Sequence, residues 1–191
     1  MASPQRALVL KGLLEVVFIG FGVFLGMAAD QWRTDRQHRD QAHDALQRFK
    51  TEIEANRAAV MKNQDYRARI RKDITAYLNP KLRPTVDLQM EGIKPVNFEH
   101  TAWDLALVTQ SLADIDSSLA FELARVYGQQ QIYTSLTGGL MQAMYLRPPS
   151  ENLTAFLHSV KIYLDDIVEF DPGLVKMYDE VVPLIDRALK D

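Results

Sequence analysis

Four histidines and a few paired carboxylates are the side chains whose types could do acid–base or metal chemistry, and their spacing argues against both. His38 and His43 are five residues apart, so on a helix they leave from different faces, whereas a metal pair needs one face. Asp40, His43 and Asp44 could approach a cation, but in so charged a run they read as a solvated helix face. His100 stands four residues before Asp104, the spacing of a contact at a helix N-terminus rather than of a catalytic dyad. Asp165-Asp166 and Asp179-Glu180 lack the partner constellation that acid–base work requires, and His158 stands apart from both. There is no cysteine, which excludes disulfides, thiolate zinc sites and cysteine nucleophiles. No GxSxG, P-loop or GxGxxG occurs. Neither an enzyme nor a bound cofactor or metal is expected. Trp103, Tyr127, Tyr133 and Tyr145 could line a pocket, but an aromatic stripe at helical spacing reads first as core.

The carboxylate that asks for an explanation is Glu15, at the head of the apolar run that ends at Ala29. Val16–Ala29 alone would rise about 21 Å as a helix, short of a ~30 Å hydrocarbon core. Counted from Ala7, the helix rises about 34 Å and suffices, at the cost of including Lys11 and Glu15. Thirteen Leu, Val, Ile and Phe lie between Leu8 and Leu25. At roughly −0.3 to −0.6 kcal/mol each they outweigh one central charge at roughly +2.5 to +3.5. Lys11 can snorkel and sits one turn from Glu15, so the two partly neutralise each other. Trp32 falls just beyond the run, where an interfacial aromatic anchor belongs. Gly22 and Gly26 form a GxxxG and share a face with Gly12, Glu15, Ile19 and Ala29. That face lets another helix approach and turns the carboxylate toward it. The expected partners are the bilayer and, through the Gly22/Gly26 face, a second copy or another membrane protein. A cleaved signal ending near Gly26-Met27-Ala28 is the rival reading, opposed by the acid and the glycines in its core.

These residues must be carried by helices. Residues 1–6 form a tail, 7–29 a transmembrane helix and 30–78 a long juxtamembrane helix free of Pro and Gly. In the latter, Ala42, Leu46, Phe49, Ile53, Val60, Ile70, Ile74 and Tyr77 keep one heptad register, with Asn56, Asn63 and Arg67 as polar insertions. The register serves an intramolecular bundle or an intermolecular coiled coil equally well. Residues 79–100, with Pro80, Pro84, Gly92 and Pro95, form a loop that is either functional or wraps the bundle. Residues 101–191 return to helical periodicity: a short helix over Thr101–Val108, and one capped by Asp116 or Ser117 with a possible kink at Gly138-Gly139. A third helix is capped by Ser150, and a last one starts at Asp171-Pro172. The fold class is all-α, an N-terminal transmembrane helix continuing into a long helix, followed by an antiparallel bundle packed on it.

Two segments together resemble an uncharacterised family of bacterial single-span membrane proteins. Glu15, Gly22 and Trp32 in "LLEVVFIGFGVFLGMAADQWR" occupy the family's acid, glycine and tryptophan positions. Trp103, Leu112, Ile115, Leu119 and Tyr127 match its later Trp-to-Tyr segment. The chain departs where the family carries a glycine near Ser111. The resemblance covers about two thirds of the chain and implies an anchor with a helical domain, without an established activity.

A net charge of −3 argues against a nucleic-acid binder. Asp30–Lys72 holds eleven Lys/Arg against seven Asp/Glu, and Ser150–Asp191 four against nine, which fits two helices that attract each other. The functional expectation is a single-pass inner-membrane protein acting through association, as scaffold or accessory subunit of a membrane complex. A ligand-sensing membrane effector and a secreted helical domain are the alternatives. Arg33, Arg36, Arg39, Arg48 and Lys50 outnumber Arg6 and Lys11 across the span, which favours a cytoplasmic bundle.

Overall fold

The computed structural model describes residues 4–83, 87–146 and 149–190, with side chains from Phe18 onward. Its elements are α1 (Pro4–Lys62), α2 (Gln64–Leu78), α3 (Thr101–Val108), a 3-10 turn (Ser111–Asp114), α4 (Ser117–Leu146) and α5 (Leu153–Ala188). No strand occurs among the described residues, so the chain is all-α.

α5 is the spine. Its apolar residues recur every three or four positions, and Phe156, Val160, Leu164, Ile167, Leu174, Tyr178, Val181 and Ile185 are all buried. α1, α2 and α4 each pack against it. Polar pairs fix the directions: Lys50 meets Asp186, Arg57 meets Asp179 and Arg67 meets Asp171, so α1 and α2 run antiparallel to α5. Thr137 meets Tyr163 and Gln130 meets Tyr178, so α4 does too. The excess positive charge of α1 and α2 thus lies along the acidic α5, and the attraction is realised within one chain.

The heptad register is the buried face of α1 and α2. Ala42, Leu46, Phe49, Ile53, Asn56, Val60, Arg67, Ile70 and Ile74 are all buried, covered by the chain's own bundle. The single helix expected over 30–78 is broken at Asn63, whose φ of −117° and ψ of 8° leave the helical region. The Arg67 N–H still reaches the Asn63 carbonyl at 2.9 Å, so the apolar stripe crosses the break in register. α1 begins at Pro4, inside the expected tail, with proline where its missing N–H costs nothing.

Other boundaries differ from expectation for local reasons. Asn152, rather than Ser150, caps α5, its Oδ1 accepting from the Ala155 N–H at 2.9 Å. Asp171-Pro172 does not start a helix: α5 runs through Pro172 and Pro183 without interruption. Asp171 is tied into the core by Arg67, and burial on both sides of Pro172 outweighs the hydrogen bond it cannot donate. α4 is likewise continuous through Gly138 and Gly139. Asp116 caps α4 as expected, accepting from the Ser118 and Leu119 N–H groups.

The described part of the proline-containing loop wraps the bundle. Asn56 clamps Glu99 in both directions, its Nδ2 donating to the Glu99 carbonyl at 2.7 Å and its Oδ1 accepting the Glu99 N–H at 2.8 Å. The Tyr66 hydroxyl donates to the Gly92 carbonyl and accepts from the Glu91 N–H. Ile93 and Val96 complete the attachment by entering the core.

Candidate functional site

Two regions of the molecule have features that packing of the bundle does not explain. The first is the N-terminal part of α1. From Phe18 to Gln41 every residue is exposed, a stretch of about 36 Å at helical rise. Phe18, Ile19, Phe21, Val23, Phe24, Leu25 and Met27 are 51–69% exposed, and at 100° per residue they surround the helix. Gly22 and Gly26 have nothing within 4 Å of where a Cβ would stand, so their face is open to a neighbouring helix. Trp32 is exposed, with the Arg36 guanidinium 5.8 Å from its ring centroid. The Glu15 side chain lies outside the described residues. No helix, among the described residues, is long and apolar enough to cross a membrane.

The first bundle contacts appear at His38, whose Nδ1 lies 3.0 Å from Asp114 Oδ1 in the 3-10 turn, and burial starts at Ala42. The turn is entered through Gln110 at φ 59°, a left-handed conformation that favours glycine.

The second region is a cleft of about 610 Å³ on the side of the bundle, between the 96–98 strap, the start of α3 and the middle of α4. Trp103 and Tyr127 stack at 4.9 Å with a 22° angle between planes, and Phe49 closes on both from behind. The Glu52 carboxylate, buried on α1, fixes this wall: one oxygen accepts the Tyr127 hydroxyl at 2.6 Å and the other the Ala102 N–H at 2.8 Å. A carboxylate at the N-terminus of α3 also suits the partial positive charge there. Burial first, and the Glu52 hydrogen bond second, push the Tyr127 hydroxyl well above the ordinary tyrosine range. At the cleft edge His100 Nδ1 and Asp104 Oδ2 stand 2.5 Å apart, the expected helix N-terminal contact.

Tyr127 is therefore both core and lining, Trp103 lines the cleft half-buried against the core, and Tyr133 is core. Tyr145 is neither, being 88% exposed on α4. Behind the cleft lies a buried polar pair. Arg67 and Asp171 are fully buried, and Asp171 Oδ2 accepts from Arg67 Nη2 at 2.6 Å and from Nε at 3.1 Å. Arg67 also donates to the Val60 and Lys94 carbonyls, joining α1, the strap and α5 at one point. Burial pushes the Asp171 carboxyl up, and Arg67 opposes it.

Asp40, His43 and Asp44 form no cation site, and no cluster of metal-ligating side chains occurs among the described residues. Sequence reasoning missed Glu52 and Gln130, because each lies on a helix whose neighbours in space are distant in sequence. The chain thus belongs to the class of all-α proteins in which an exposed apolar helix extends from a bundle. No known family model, curated protein or solved structure matches it.

Proposed function

We propose that this is a single-pass inner-membrane protein, anchored by Ala7–Ala29, that acts through association as a scaffold or accessory subunit of a membrane complex. The observation that carries the reading is the exposed apolar girdle of α1. Seven large apolar side chains surround a helix that no other described part of the chain covers, an arrangement water penalises by about 25 cal/mol per Å² of apolar surface. A bilayer or a neighbouring helix removes that penalty. The sequence arithmetic from Ala7 supports the bilayer, and the open faces of Gly22 and Gly26 support a helix packed within it. Trp32 then sits at the interface as an anchor. The resemblance to single-span bacterial membrane proteins supports the same reading.

The test is extraction and assembly. The chain should resist high-salt and alkaline washes of membranes and require detergent for release. On native gels in mild detergent, the double variant Gly22→Leu/Gly26→Leu should lose the slower-migrating complex. Unchanged migration of that variant rejects association through this face. Release by washing alone, with an intact mass that begins near Ala29 or Asp30, favours the secreted alternative.

A further inference from the structure

The cleft beside Trp103 has a composition that selects a ligand. Three aromatic side chains, Phe98, Trp103 and Tyr127, contribute to its lining, and among the described residues no Lys or Arg does. Its one carboxylate is Asp104, with His100 against one oxygen. On α4 the buried Gln130 directs its Nε2 to the Tyr178 hydroxyl at 3.0 Å, which fixes the amide and leaves Oε1 without a hydrogen-bond partner. That oxygen is buried in the cleft wall, where its partial negative charge adds to the ring faces in front of it. Negative ring faces, a carboxylate and a buried carbonyl oxygen all favour positive charge.

We propose that this cleft binds a small organic cation of the alkylammonium class, its apolar shell against the Trp103 and Phe98 rings and its charge toward Asp104. The volume of about 610 Å³ falls in the range of small-molecule sites. The wall is preorganised. Trp103 is stacked on Tyr127, Tyr127 is held by Glu52, and Phe98 meets Tyr133 edge-on at 5.1 Å, so little freedom is lost when a ligand enters. At Gly128, in the lining, a Cβ would meet nothing within 4 Å, so a larger side chain has room to stand there.

The experiment uses the full chain in a maltoside detergent, with Trp32→Phe so that Trp103 is the one remaining tryptophan. Choline chloride is titrated against its neutral isostere 3,3-dimethylbutan-1-ol and against butyrate, at matched ionic strength, with Trp103 fluorescence as the readout. Choline should produce a saturable change, and the neutral isostere should bind at least about tenfold more weakly, as expected of a desolvated cation–π contact. Asp104→Asn, at an exposed position, should weaken choline severalfold. Gly128→Leu should abolish binding while raising the melting temperature, because it fills the cleft and replaces a mid-helix glycine. Equal binding of choline and the alcohol, tighter binding of butyrate, no saturable change, or full binding by Gly128→Leu each overturns the proposal.

Discussion

Arg67 and Asp171 set the geometry of the bundle at the scale of single residues. Both are fully removed from water, which is costly, and the cost is offset by two hydrogen bonds between them and two more from Arg67 to backbone carbonyls. Removing one member leaves the other charged and buried. Asp171→Ala should therefore destabilise the protein by about 3–5 kcal/mol, read from urea unfolding followed by Trp103 fluorescence. The double variant Arg67→Met/Asp171→Leu should recover most of that loss, because it replaces the pair by apolar groups of similar size. An Asp171→Ala variant within about 1 kcal/mol of the parent would show that the pair contributes little. Half of this pair was legible in the sequence. Arg67 stands out as a polar insertion in an apolar register, and Asp171 holds a matching place between Ile167 and Leu174. It was hidden because Asp-Pro reads locally as a helix start.

At the scale of elements, the helix periodicities of α1, α2, α3 and α4 were legible because burial and local propensity agree there. α5 shows the opposite case. Its local signal, Asp-Pro at 171–172, calls for a separate helix, while its apolar stripe continues in phase from Phe156 to Ile185. The stripe prevails because it supplies the surface on which α1, α2 and α4 pack. Asn63 interrupts the ladder of α1 and α2 without shifting their stripe, and in the sequence it stands as a polar insertion of an unbroken register rather than as a helix end. Pro172 is exposed, and the N–H it lacks leaves the Val168 carbonyl without its helical donor. Replacing it should add a hydrogen bond and relieve a clash without disturbing the core. Pro172→Ala should stabilise the protein by about 1–3 kcal/mol, with a higher urea midpoint at unchanged m-value. Destabilisation would mean that the backbone geometry fixed by Pro172 is needed to seat Asp171 on Arg67.

The cleft was less legible than the helices. Trp103 and Tyr127 are conspicuous in the sequence, but Glu52, Phe98 and Gln130 join them only through the packing of α1, the strap and α4. At the scale of the whole molecule, α1 belongs to two environments. Its C-terminal part, from Ala42, is inseparable from the bundle core, and from Phe18 to Gln41 every residue is exposed. Stability and anchoring should therefore separate at the His38–Asp114 contact. A fragment of residues 33–191 retains every buried residue of the core and this contact. It should unfold in one cooperative transition with a midpoint and m-value close to those of the full chain, while needing no detergent to stay monomeric. A fragment of residues 45–191 loses the contact and Ala42, and should be less stable by about 1–2 kcal/mol. If the 33–191 fragment fails to fold, the exposed stretch of α1 supports the bundle through contacts beyond the single chain. If it folds but still demands detergent, the apolar surface in question lies on the bundle, where Val108, Phe121, Leu146 and Ile162 are among the exposed side chains.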